Sequence, residues 1–247
     1  MPAESLFSFT SDLDWASDYC LDDLLGFLSW HDIVPTVFGT HRSEALERHA
    51  AAGTAEIGLH PNFLPGSSHG EDEASVIDHV QGLFPDAEAF RSHCFVDSTH
   101  IVRQMLARGI RYDSNLCLHL QPGLVPLQHG TGIVRFPVFW EDDCHWELTG
   151  GDWDLDRYLD RFLTPGLKII NVHPFPFAAN VTSSEHYLRS KAHITTLSPG
   201  DLDEVRHPGE GTRTFVTSLI EALADNGARF HTLKEIHTMT SCGELTR

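Results

Sequence analysis

Positive charge is scarce in this chain. Its 247 residues hold 35 Asp and Glu against only 17 Lys and Arg, a formal net charge of -18. A surface that acidic repels nucleic-acid phosphates and anionic membranes, so neither is expected as a partner. Cysteine is also sparse. Cys20, Cys94, Cys117, Cys144 and Cys242 form no Cys-x-x-Cys pair, which excludes the common zinc-ribbon and dithiol redox motifs. Their odd number fits free thiols in a reducing compartment. Long apolar runs are missing too: none approaches the ~18 residues that a membrane helix needs. The start, Met1-Pro2-Ala3-Glu4, carries neither a basic n-region nor an apolar h-region. The expectation is a cytoplasmic protein without membrane insertion. Repeats and low-complexity linkers are absent as well, so a single domain over residues 1–247 is expected.

What is present is a globular composition, 41% hydrophobic and 21% charged, in a chain long enough to bury a full core. Short β-rich apolar runs alternate with helical stretches, the pattern of an α/β fold with mostly parallel strands. Strands are predicted at Leu6–Thr10, Ile33–Gly39, Glu56–Leu59, Ala89–Arg91, Val134–Phe139, Lys168–Val172 and Ala228–Thr232. Helices are predicted at Cys20–Ser29, Ser43–Ala51, Ala74–Leu83, Ser98–Arg108, Asp154–Phe162 and Arg213–Asp225. In the last of these Phe215, Val216, Leu219, Ile220 and Leu223 share one face. About seven strand signals interleaved with helices suggest a (β/α) barrel, in which reactive side chains stand at the C-terminal ends of strands.

Histidine is abundant, with 17 residues, and imidazole is both a common metal ligand and an acid–base group. The first strand runs into Ser11-Asp12-Leu13-Asp14-Trp15. Two carboxylates two apart reach one pocket if the chain turns there, so that one can bind a metal while the other activates water. Taken alone, the same residues read more readily as an Asx-turn or a helix cap. The third strand ends at His60, before Pro61-Asn62 and a Gly/Ser-rich loop containing His69. The fourth ends in Phe90-Arg91-Ser92-His93, where a buried arginine can pair with a pocket carboxylate. A late apolar strand ends in Val172-His173-Pro174, which makes His173 the candidate general acid. Each signal is weak alone. Together these strand ends hold the residue types that a metal hydrolase requires. Glu141-Asp142-Asp143 follows another strand and can enter the same pocket.

In these motifs the chain resembles the polysaccharide deacetylase family, the NodB-homology or carbohydrate esterase 4 group. The resemblance rests on Phe9-Thr10-Ser11-Asp12-Leu13-Asp14, Val34-Pro35-Thr36-Val37-Phe38-Gly39-Thr40, Glu56-Ile57-Gly58-Leu59-His60, Phe90-Arg91-Ser92-His93, Val172-His173-Pro174 and the closing Ala228 to Ile236. It implies a distorted (β/α)7-type, NodB-like barrel and a divalent metal, zinc first, with iron, cobalt or nickel as alternatives. It further implies Asp14 and His60 as metal ligands, Asp12 as general base, Arg91 as the residue orienting Asp12, and His173 as general acid. The sequence departs from the family at position 64, where the second histidine of its His-x-x-x-His motif is replaced by Leu64. His69, delivered by a longer loop, is the expected substitute ligand, ahead of Asn62 and His93. Trp15, Asn62, His93, Trp140 and Asp142 are the candidate substrate contacts.

The expected activity is metal-assisted hydrolysis of an N-acylated amino sugar or a related small amide, with the oxyanion held by the metal and a backbone N–H near Ser92. Two other readings compete. One is a different metal amidohydrolase or phosphoesterase on a β/α barrel. The other is a degenerate barrel that binds sugar through Trp15, Trp140, Trp146 and Trp153 without catalysis.

Overall fold

The computed structural model describes residues 5–242. One sheet contains β1 (Ser5–Asp12), β2 (Thr36–Gly39), β3 (Glu56–Leu59), β4 (Ala89–Phe90), β5 (Tyr112–Asp113), β6 (Leu127–Gln128), β7 (Val134–Arg135), β8 (Val138–Glu141) and β9 (Gly166–Asn171). Their order across the sheet is β6-β7-β5-β4-β3-β2-β1-β9-β8. All pairings are parallel except β6 with β7. The segment after β5 curls back to the opposite edge. Cys117 bridges Val138 of β8, the Leu118 N–H donates to Val138 O at 2.9 Å, and the Val138 N–H donates to Leu116 O at 2.8 Å. The result is a mixed α/β fold with a curled, incompletely closed barrel, the distorted type expected from the sequence.

The central strand explains how the sheet is filled. β1 is buried from Phe7 to Asp12 and lies between β2 and β9, with Thr10 in register with both Thr36 and Asn171. Side chains alternate along a strand, so the small and polar Ser8, Thr10 and Asp12 share one face while Phe7 and Phe9 take the other. Phe7 packs on Phe230 with ring centroids 5.6 Å apart. The helix Asp18–Trp30 begins at Ser17, whose side chain accepts from the Cys20 N–H, and it buries Cys20, Leu21, Leu24, Leu25 and Leu28 along one stripe. The helix Thr212–Asp225 buries Phe215, Val216, Leu219, Ile220 and Leu223, the face its periodicity predicts.

Two strand predictions are corrected. Val134–Phe139 is two strands, β7 and β8, which lie at opposite sides of the sheet and are separated by Phe136-Pro137. Pro137 has no N–H for a ladder and marks the place where the chain crosses over. Ala228–Thr232 contributes only an isolated bridge, Phe230 to Phe7. It cannot extend because Thr232 is already the N-cap of the helix Leu233–Ser241, in a capping box with Glu235.

Candidate active site

The strand ends converge as their positions suggest. Beyond Asp12 the backbone turns sharply: Asp14 and Trp15 have φ of 44° and 58°, in the left-handed region. Aspartate tolerates that conformation better than most residues, whereas tryptophan adopts it rarely. The Leu13 N–H anchors the turn on Phe38 O at 3.0 Å. The turn returns Asp14 toward the pocket that Asp12 faces, so both carboxylates reach one place.

Arg91 is the hub below them. It is fully buried, and its Nη1 donates to Asp12 Oδ1 at 2.8 Å and to Asn171 Oδ1 at 2.5 Å. Its Nη2 donates to Ser114 Oγ at 2.7 Å and Thr10 Oγ1 at 3.1 Å, and its Nε donates to Ser114 O at 2.9 Å. All the guanidinium donors are thus occupied, which is what makes a buried arginine tolerable. The Phe38 ring lies against the guanidinium, 4.5 Å from its carbon. Asn171 closes the arrangement, donating through Nδ2 to Asp12 Oδ2 at 3.1 Å and Glu141 Oε1 at 3.3 Å.

Asp14 meets two imidazoles. His60 Nε2 lies 3.0 Å and His93 Nδ1 2.9 Å from Asp14 Oδ1. One donor atom from each of these residues falls within 4.8 Å of the others. His60 is buried, and neither of its ring nitrogens has a hydrogen-bond partner. The short contact to Asp14 misses hydrogen-bond geometry, and an unpartnered buried imidazole aimed at a carboxylate is the mark of a ligand set. A carboxylate with two imidazoles and an open side suits zinc or a similar divalent ion, so the residues fit the metal that the sequence implies. Burial pushes the Asp14 carboxyl up, but the His60 and His93 contacts outweigh it and hold the group well below the usual range. Burial opposes charge on His93 as well, yet the Asp14 contact lifts it to about 10.

The structure does not bring His69 into this group. Its Nδ1 accepts the Asn62 N–H at 3.1 Å, which puts the ring proton on Nε2 and leaves no free lone pair there. The ring stacks on His79, with centroids 5.1 Å apart, and burial, then His79, lower its pKa to about 4. His93 comes forward instead. Its N–H donates to Pro61 O at 2.9 Å, on the segment directly after His60, and the left-handed Cys94 and Phe95 form the turn that holds it there.

On the other wall stands His173. Its Nδ1 pairs with Asp142 Oδ1 at 2.6 Å, and its backbone N–H donates to Asp142 Oδ2 at 2.9 Å. Nε2 therefore points at the carboxylates: it is 3.6 Å from Asp14 Oδ2, 3.8 Å from Glu141 Oε1 and 4.0 Å from Asp12 Oδ2. Burial opposes the imidazolium, but the Asp142 carboxylate overcomes it and raises the pKa well above the ordinary value. Burial and the Asp143 carboxylate push the Glu141 carboxyl up.

Asp14, His93 and His173 open into a cavity of ≈ 230 Å³ walled also by Asp143, Trp146 and Tyr187, among others, while Asp12, His60 and Glu141 are buried beside them. Wider clefts of ≈ 440 and ≈ 630 Å³ lie near the other ends of the strands, around Glu56 and Lys234, and contain none of these residues. Among the expected substrate contacts, Trp15 sits at the rim, against His93 and His69 with centroids 5.3 and 5.6 Å away. Asn62 lies beside His69 and accepts the Leu64 N–H. Asp142 is fully buried and engaged by His173, not exposed to a ligand. Trp140 is fully buried and stacked on Phe215, centroids 5.1 Å apart, so it offers no sugar platform. The Ser92 N–H donates to Asn115 Oδ1 at 3.0 Å and is not free for an oxyanion. Sequence reasoning overlooked Asn171 and gave Glu141 no role. Asn171 had a signal: it ends the apolar strand that leads into His173, the position from which a side chain reaches the pocket.

Residues 9–191 match the family described as WbmS-like polysaccharide deacetylase. A solved structure from Bordetella bronchiseptica, described as a polysaccharide deacetylase involved in O-antigen biosynthesis, is 31% identical, with a TM-score of 0.78 over 87% of this chain and 89% of its own. Two others share the fold. One is a polysaccharide deacetylase structure from Mycobacterium smegmatis, 19% identical, with a TM-score of 0.50 over 94% of both chains. The other is a family 4 carbohydrate esterase from Streptomyces lividans in complex with acetate, 11% identical, with a TM-score of 0.52 over 93% of this chain and 92% of its own. No curated protein matches the chain.

Proposed function

The chain belongs to the WbmS-like polysaccharide deacetylase family, and on that premise we propose that it is a metal-dependent hydrolase that removes an acyl group, acetyl foremost, from the nitrogen of an amino sugar. One observation supports the reading: the donor set Asp14, His60 and His93 stands against Asp12 and His173, with His60 3.9 Å from Asp12 and His173 3.6 Å from Asp14, and Asp14, His93 and His173 line one cavity. Asp14, His60 and His93 would hold a divalent ion, zinc first. Bound there, the ion supplies Lewis acidity toward an acyl oxygen and water.

The remaining work falls to the chain's own side chains. Arg91 and Asn171 fix the two oxygens of Asp12, so the carboxylate keeps one orientation between His60 and His173. Asp12 takes a proton from the attacking water as its oxygen bonds to the acyl carbon. His173, held by Asp142 with Nε2 facing the carboxylates, gives its proton to the sugar nitrogen as the C–N bond breaks. Trp15 at the rim, and Trp146 and Tyr187 in the wall, offer aromatic faces to a pyranose ring. The substrate is a sugar of the kind found in surface polysaccharide, in keeping with the O-antigen role described for the Bordetella relative. We place the reaction in the cytoplasm; no helix among the described residues is long and apolar enough to cross a membrane.

The test is release of acetate and a free amine from N-acetylated amino sugars by the zinc-loaded protein. Release that disappears in Asp12→Asn supports the reading. Release of phosphate, or of ammonia without acetate, from a matched substrate panel would transfer the site to another hydrolase class.

A further inference from the structure

We propose that Cys117, Glu141 and Cys144 form a second cation site, separate from the Asp14 group, for a thiophilic divalent ion such as zinc. The donor atoms of these residues all lie within 4.8 Å of one another. Tetrahedral zinc, with ~2.3 Å to sulfur and about 2.0–2.2 Å to a carboxylate oxygen, sets its donors about 3.3–3.8 Å apart, so these residues would close on an ion by about 1 Å at most. Two thiolates with one carboxylate is a soft set, which favours zinc over calcium or magnesium.

Independent parts of the backbone place the donors. Cys117 is fixed by its bridge to Val138, where the segment after β5 closes the barrel gap. Glu141 is the last residue of β8. Cys144 lies in the first turn of the helix Asp142–Thr149 that follows at once. Glu141 supplies the second observation. Its residue is only 2% exposed, and its oxygens are unequally served. Oε1 accepts from Asn171 Nδ2 at 3.3 Å, whereas the contact of Oε2 is the Cys144 thiol at 3.9 Å. Neither Lys nor Arg pairs with Glu141 among the described residues; its ionic neighbour is His173, on the Oε1 side. A buried carboxylate oxygen answered only by a long thiol contact lacks positive charge where it faces the two sulfurs. An ion there would supply it.

The thiols are half-buried, so the ion can enter from solvent, and three protein donors leave a fourth position for water. Binding expels the protons of Cys117 and Cys144 to solvent while their sulfur lone pairs form the two metal–sulfur bonds. Nothing is oxidised or reduced. The ion would fix the start of the helix that carries Asp142, and so stand behind His173 without touching substrate.

The experiment uses the full chain, stripped of metal and reloaded with cobalt(II) as a spectroscopic stand-in for zinc. Wild type and His60→Ala should both show thiolate-to-cobalt charge-transfer absorption in the near ultraviolet. Cys117→Ser/Cys144→Ser should lack it and hold one equivalent of metal fewer than wild type. A parallel measurement on unmutated protein guards against misfolding of the double variant. Saturating zinc should slow iodoacetamide labelling of Cys117 and Cys144 by about 10-fold or more, while the exposed Cys242 labels as before. No charge-transfer band in wild type, or equal labelling of Cys117 and Cys144 with and without zinc, overturns the site. Because His60→Ala empties only the Asp14 group, failure here is distinct from failure of the deacetylase reading.

Discussion

Two buried arginines hold carboxylates in this molecule, and only one of those carboxylates is left with work to do. Arg135 grips Asp113 in a two-point contact, Nε to Oδ1 at 2.7 Å and Nη2 to Oδ2 at 2.9 Å, and reaches Asp97 Oδ2 with Nη1 at 2.7 Å. Asp113 is completely buried, and its remaining contact is the Asn115 N–H. Arg91 instead takes Asp12 by one oxygen. The other oxygen receives a neutral amide, and His60 and His173 stand 3.9 and 4.0 Å from the carboxylate. A saturated pair locks β5 to β7. The unsaturated one, with imidazoles 3.9 and 4.0 Å away, is the one we propose for proton transfer. Burial alone does not separate a structural ion pair from a reactive one; what is left unpaired does.

The largest expected effect tests the reactive side. Asp12→Asn keeps an oxygen for Arg91 but cannot accept a proton, so turnover of an N-acetylated amino sugar should fall by about 10²- to 10⁴-fold. Its metal content should match wild type. The converse variant is Arg135→Ala. Leaving Asp113 buried without its partner should cost about 3–5 kcal/mol of stability in denaturant unfolding, with the turnover of the folded fraction unchanged. If Arg135→Ala lost turnover and Asp12→Asn lost only stability, the comparison would be inverted.

The smallest effect comes from a buried cation with no carboxylate at all. Lys168 is fully buried on β9, its Nζ 4.2 Å from the Phe139 ring centre and 3.2 Å from Thr164 Oγ1. Burial lowers its pKa from 10.5 to about 8. Between those values the unfolded chain holds a proton that the folded chain has released, so this residue makes stability rise with pH from about 8 to 10.5 and adds no slope below about 8, where both states hold the proton. Unfolding of wild type and Lys168→Met across that range should show the slope in the first and its loss in the second. Equal slopes would mean that Lys168 keeps its proton in the fold.

The sequence revealed most where the cause was local. Strand ends at Asp12, His60, Arg91 and His173 were visible because apolar runs stop there, and the structure gathers the other three side chains around Asp12. His93 was harder to place. Template spacing from His60 pointed to position 64 and then to the His69 loop, whereas the relevant neighbour is across the sheet: β4 lies beside β3, and residue 93 is bonded to residue 61. Trp140 misled for another reason. β8 is buried throughout, and a strand buried on both faces shows no alternation from which to read direction. The split at Pro137 and the cap at Thr232 were legible in principle, since proline interrupts ladders and Thr232 precedes Glu235 by three residues.

The claim on which the account most depends is that Asp14, His60 and His93, without His69, hold the catalytic metal. Metal content by plasma mass spectrometry of zinc-loaded wild type, His93→Ala and His69→Ala tests it directly. His93→Ala should lose one equivalent and its turnover, while His69→Ala should retain the wild-type metal content. Loss of that equivalent in His69→Ala with full retention in His93→Ala would contradict it.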